Sequence, residues 1–135
     1  MTASGLPEVA RSELEVLKVL WEDGRLAARE VHERLAAEQG WAYSTTRTVL
    51  DRMVKKGLVE RRGFHGVFLY EPRISRPLGL ARLVRDFAER VLELDSAAVL
   101  PLFARSEALS ADEVAELSRL LEEAEADPAG AEGER

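Results

Sequence analysis

Cysteine is absent from this 135-residue chain, and histidine occurs only at positions 32 and 65. The first absence removes disulfides, thiol chemistry and thiolate metal sites together. The second leaves no cluster of ligands at metal-binding spacing. No metal and no cofactor are therefore expected. Long apolar runs are missing too, since none approaches the ~18 residues of a membrane span. The opening MTASGLPEVARSE has neither the charged start nor the apolar core of a signal peptide. A cytoplasmic location away from any membrane is the expectation. Catalytic constellations are also lacking. There is no Ser/His/Asp or Cys/His set and no Gly-rich phosphate loop, and the pairs Asp112-Glu113 and Glu122-Glu123 read as helix-start and surface charges. No enzyme is expected.

What the chain does have is an uneven charge. The total is −6, which argues against an anionic partner, but the distribution argues for one. Between Trp41 and Arg73 seven basic residues stand against Asp51, Glu60 and Glu71, a local +4. From Glu107 to Arg135 ten acids stand against Arg119 and Arg135, a local −8. A basic patch with a remote acidic end is a usable binding footprint at any overall charge.

The basic segment has a definite shape. Along Ser44–Lys56, STTRTVLDRMVKK, Thr46, Val49, Leu50, Met53 and Val54 fall on one helical stripe. Thr48, Asp51, Arg52 and Lys55 point the other way. Ser44 is a candidate N-cap, and Gly57 a natural left-handed stop. Two short strands follow, Leu58–Arg62 and Val67–Glu71, around the turn Gly63-Phe64-His65-Gly66. Pro72 ends the second strand. A basic helix followed by a hairpin is the arrangement with which winged helix-turn-helix proteins hold DNA. Thr45, Arg47 and Thr48 then lie in the first turns, where a recognition helix reaches base edges. Arg52, Lys55, Arg61 and Arg62 are placed to meet phosphates.

Upstream, Ser12 and Glu15 have capping-box spacing, and Leu14, Leu17, Val19, Leu20 and Trp21 supply a first apolar face. Leu26 is a one-residue sheet contact. Ala28–Ala37 reads as a second helix with Val31 and Leu35 inward and His32 on its exposed side. Trp21, Trp41 and Tyr43 read as core and loop-packing residues. Downstream of Pro72 the pattern is wholly helical. Leu78–Leu94 forms one amphipathic helix. Asp95 or Ser96 caps a second that carries Pro101 as a kink or first-turn residue. Ser110 with Glu113 opens a third through a capping box. These helices carry more apolar stripe than they can bury alone, which implies a second copy of the chain.

With those residues in view, the chain resembles the BlaI/MecI/CopY family of bacterial transcriptional repressors. The resemblance rests on ELEVLKVLW in the first helix, a Trp ahead of YSTTRTVLDRMVKKGLVERR, and a terminal LSADEVAELSRLLEE, and it spans about residues 6 to 125. It implies a mainly α fold with a small β-wing. A winged helix-turn-helix would occupy 6–73, a helical dimerisation domain 74–126 and a disordered tail 127–135. It further implies a homodimer acting as a sequence-specific repressor on a palindromic operator in double-stranded DNA. On this resemblance Thr45, Arg47 and Thr48 serve as base-reading or groove-positioning residues, and Ser44 belongs with them to the DNA-binding set. Leu83, Phe87, Val91, Leu100, Phe103, Val114, Leu117 and Leu121 would interlock the C-terminal helices.

Two departures narrow the resemblance. The copper-responsive branch binds metal through paired C-terminal cysteines, and this chain has none. The β-lactam branch is cut by a regulatory protease before a Phe that follows Asn. Here the aligned bond is Leu102–Phe103, with Leu in place of Asn, so a protease partner stays open beside a plain interface role for Phe103. Two other classes also stay open: a winged helix that docks an acidic protein, and a ligand-responsive regulator of the MarR kind.

Overall fold

The computed structural model describes residues 5–125; the tail expected at 127–135 lies outside them. The elements are α1 (Arg11–Asp23), β1 (Leu26–Ala27), α2 (Ala28–Gln39), α3 (Tyr43–Lys56), β2 (Val59–Phe64), β3 (Val67–Pro72), α4 (Arg76–Asp86), α5 (Leu100–Ser106) and α6 (Ala111–Glu125). They divide into two compact units. Ala10–Ser75 form one, and the described residues before and after that span form the other. No helix among the described residues is long and apolar enough to cross a membrane.

In the Ala10–Ser75 unit, α1, α2 and α3 close on Val16, Leu17, Leu20, Val31, Leu35, Val49, Leu50 and Met53, all buried. The stripe expected of α3 is the one found, with Val54 half-buried at its margin. That of α1 is shifted: its buried positions are Glu13, Val16, Leu17 and Leu20, so a carboxylate occupies one place in an apolar row.

The helix starts differ from the expected caps. Ala42 precedes α3, its carbonyl accepting from Thr45 and Thr46 N–H at 3.0 and 3.2 Å. Ser44 therefore lies inside the first turn and caps nothing. At α1 the reciprocal acid is Glu13 rather than Glu15, accepting from the Ala10 N–H at 2.8 Å. Ser12 is one residue into the helix. At the far end of α3, Gly57 takes the left-handed conformation, φ 79°, that a side chain would strain.

The sheet is antiparallel in the order β1-β3-β2. β1 contributes two residues, Leu26 opposite Tyr70 and Ala27 opposite Leu69. The hairpin is longer and its turn tighter than the sequence implied. Phe64 pairs with Val67, leaving only His65-Gly66 as the loop, both with positive φ of 49° and 86°. That is the signature of a two-residue turn matched to strand twist. Gly63 is a strand residue opposite Phe68.

In the other unit, Leu6, Ala81, Leu109, Leu117, Leu121 and Ala124 form the core. Ser110 and Glu113 make both bonds of the expected capping box, at 3.1 and 2.9 Å. Asp95 accepts from the Ala97 N–H, and Pro101 sits in the first turn of α5, where its missing donor costs nothing. The long helix expected over Leu78–Leu94 stops earlier. After Asp86 it widens into a π-turn, Phe87–Val91, with Leu92 N–H bonding Phe87 O at 3.1 Å, and Glu93 turns the chain at φ 58°. Leu94 is consequently off the helix.

Candidate nucleic-acid interface

The outer face of α3 collects the residues the sequence singled out. Ser44, Thr45, Arg47 and Thr48 are all exposed in its first two turns. Ser44, Thr45, Thr48 and Arg52 line one open groove with Ser12 and Trp41. The helix is held from behind by the Val49, Leu50 and Met53 side chains, so its polar face is presented on a packed support.

Tyr43 opens α3 and organises two arginines. The Arg29 guanidinium lies 3.9 Å from its ring centroid, and that of Arg47 at 6.0 Å. The neighbouring Tyr43 side chain holds the Arg47 guanidinium above the ordinary arginine range. Arg29 comes from α2 and was not foreseen, because nothing in its local pattern separates it from any surface arginine. His32 corrects the sequence reading as well. It is half-buried, its Nδ1 is 2.9 Å from Oγ1 of the fully buried Thr46, and its ring stands edge-on to Tyr43. It ties α2 to α3.

The wing carries Arg61 and Arg62 on β2. Arg61 stacks on Phe68, 4.6 Å to the centroid, and lies 3.9 Å from Asp51; Arg62 pairs with Glu60 at 3.1 Å. Such exposed pairs contribute only about 0–1 kcal/mol, so both guanidinium groups are easily recruited by phosphate. Lys55 is exposed and makes no ion pair among the described residues.

Arg52 and Lys56 are held differently. Arg52 Nε is 2.7 Å from Glu13 Oε2 and its Nη2 donates to Ser12 Oγ at 2.9 Å. Lys56 Nζ is 2.7 Å from Glu13 Oε1. Burial pushes the Glu13 carboxyl up, but the bonds from Lys56, the Ala10 N–H and Arg52 outweigh it and leave its pKa below the ordinary 4.5. A lowered folded-state value adds stability above the unfolded value, and that stability is lost as pH falls through the folded one. Denaturant midpoints of the Ala10–Ser75 unit should therefore drop as pH is taken below about 4.5, the ordinary glutamate value. In Glu13→Gln this part of the drop should vanish.

Of the residues assigned to dimerisation, Leu83, Phe87 and Val91 are exposed, while Leu100, Phe103 and Val114 are half-buried. Leu83, Phe87, Leu92, Leu102 and Phe103 border an open apolar cavity of about 410 Å³. Leu117 and Leu121 lie in the chain's own core instead. α6 turns this stripe inward within the single chain.

A three-helix support, a basic helix exposed upon it and a paired hairpin beside it define a winged helix-turn-helix protein. The penicillinase repressor family model matches residues 9–123, and the chain belongs to that family. It is 30% identical over 118 residues to the penicillinase repressor of Bacillus licheniformis, covering 87% of this chain and 92% of that one. It is 25% identical over 114 residues to the methicillin resistance regulatory protein MecI of Staphylococcus aureus (strain N315), covering 84% and 93%. A solution structure of Bacillus licheniformis BlaI, in monomeric form with the blaP half-operator, overlays with a TM-score of 0.49. Its identity is 33%, over 54% of this chain and 89% of that one. The family is one of repressors, not enzymes.

Proposed function

We propose that this DNA-binding repressor acts as a homodimer on a pseudo-palindromic operator, each protomer placing α3 in a major groove. The observation that supports this reading best is the exposure of Thr45, Arg47 and Thr48 on the packed helix α3. Arg47 has the donor geometry for guanine O6 and N7, and the threonines suit a thymine methyl or a phosphate. Lys55, Arg61 and Arg62 supply phosphate contacts, which add affinity without sequence information. A two-fold dimer sets its recognition helices about one turn, ~34–36 Å, apart, or a simple multiple of it.

The deciding experiment is a binding titration against fragments of the source genome, including the gene's own promoter, at two salt concentrations. Selective binding to a palindrome that weakens steeply with salt carries the reading; no selectivity at either salt ends it. Arg47→Ala is expected to cost about 1–3 kcal/mol on the operator and to relax selectivity at one base position. Equal binding of variant and parent to operator and random DNA would remove Arg47 from the base-reading set.

Control by proteolysis is a finer proposal. The Leu102–Phe103 bond lies inside α5, so a protease reaches it only after that helix opens locally. Release of the operator on cleavage there, with a Phe103→Ala chain left intact, would assign the protease as a partner.

A further inference from the structure

We propose that Glu13 is a positioning residue for the recognition helix. By holding Arg52 and Lys56 it also keeps those two cations off the DNA phosphates, and so sets the margin between operator and non-specific binding. The proposal rests on the DNA-binding reading above for its second half; its first half stands on the fold alone.

Glu13 is 0% exposed, yet it lies on the buried stripe of α1 among Val16, Leu17 and Leu20. An isolated carboxylate there would be prohibitively desolvated, and it is tolerated because each of its oxygens is bonded. Lys56 and the Ala10 N–H donate to Oε1 and Arg52 donates to Oε2. The two cations are four residues apart, so they project from successive turns of the same face of α3. Two charge-assisted bonds one turn apart fix both the rotation of α3 about its axis and its slide along it. Apolar packing alone fixes neither sharply. A rotation of about 20° carries a side-chain tip ~6 Å from the axis through ~2 Å. That is enough to break a hydrogen bond to a base edge.

The cost of this clamp falls on non-specific binding. Each lysine or arginine that neutralises a phosphate adds about 0.9 to the slope of log K against log salt. Arg52 and Lys56 are aimed at Glu13 rather than at solvent, although their side chains remain 45% and 34% exposed. Lys55, one residue away, is fully available. Adjacent lysines on one helix are thus predicted to behave differently, which local sequence gives no reason to expect.

The test uses the full chain with Lys55→Gln, Lys56→Gln and Glu13→Gln, titrated on a random-sequence duplex and on the promoter fragment that the parent binds most tightly. Lys55→Gln should flatten the salt slope by about 0.9, and Lys56→Gln should leave it unchanged. Glu13→Gln releases both cations, so its slope should steepen by about 0.9 to 1.8. Its binding to random duplex should tighten, and the operator-to-random ratio should fall at least about tenfold, ~1.4 kcal/mol. A variant that was only less stable would lose affinity for both duplexes with the parent slope. Equal flattening by the two lysine variants overturns the proposal, as does a Glu13→Gln protein with the parent's slope and ratio. If Glu13→Gln does not fold, the lysine pair decides. If the parent binds no duplex, the repressor reading fails, and amide exchange along α3 decides the clamp: equal protection in parent and Glu13→Gln overturns it.

Discussion

Phe87→Glu combined with Val91→Glu is expected to give a folded monomer whose operator affinity is lower by about 10²–10⁴. The two side chains are 54% and 62% exposed in the single chain, so the substitutions remove little of its own core and should leave its unfolding midpoint near the parent's. What they change is a surface. Phe87 borders the apolar cavity that Leu83, Leu92 and Leu102 also line, Val91 lies one turn further along the same segment, and Leu102 is itself 61% exposed. Clustered apolar exposure of this kind on one protomer marks an interaction face. If the proposed homodimer buries this face, two carboxylates introduced there strand charges in an apolar interface. Affinity then collapses without any change at α3, since a monomer holds one half-site and loses the multivalent gain of the second. Sedimentation of the variant and parent, read beside titrations on a full operator and a half-site, separates the effects. Monomeric mass with unchanged half-site affinity is the expected pair. A variant that stays dimeric places the interface elsewhere on the chain.

Helical periodicity made the recognition helix legible because its inner face is decided by local spacing. Thr46, Val49, Leu50 and Met53 are buried as the pattern required, and Arg47 and Thr48 are exposed opposite them. The wing was legible from its turn residues, although the loop closes on His65-Gly66 and spares Gly63. The rest depended on partners far away in sequence. Glu13 meets Arg52 and Lys56 from 39 and 43 positions off. A carboxylate interrupting the row Val16, Leu17, Leu20 was the available signal, and it is easily read as an ordinary surface charge. His32 and Thr46 lie 14 residues apart on different helices, so a histidine at the edge of the α2 stripe gave no sign of its bond. The π-turn at Phe87–Val91 has no Gly or Pro to announce it. Leu117 and Leu121 show the converse ambiguity: an apolar stripe says that a face is covered, not whether the cover is the same chain or a second one.

The largest stability effect is expected at Leu50→Ala. Leu50 is 0% exposed at the middle of α3, where α1, α2 and α3 meet. Removing its isobutyl group forfeits the burial of that group and leaves a cavity that rigid neighbours refill only in part. Such changes cost about 2–5 kcal/mol, against a total of roughly 5–15 kcal/mol for a typical domain. The measurement can be confined to the relevant unit, because both tryptophans of the chain, Trp21 and Trp41, lie within Ala10–Ser75. Trp21 is anchored there by its Nε1 donating to Ile74 O at 3.0 Å, so its fluorescence follows that unit's unfolding. The denaturant midpoint should fall with the slope unchanged, the mark of lost stability without a change in the surface exposed. Operator binding of the fraction still folded should weaken less than in Arg47→Ala, since Leu50 supports the helix and touches no base. If the midpoint moves by less than about 1 kcal/mol, the α1–α3 junction is repacking around the gap, and the Glu13 clamp rather than apolar packing is what holds α3 in place.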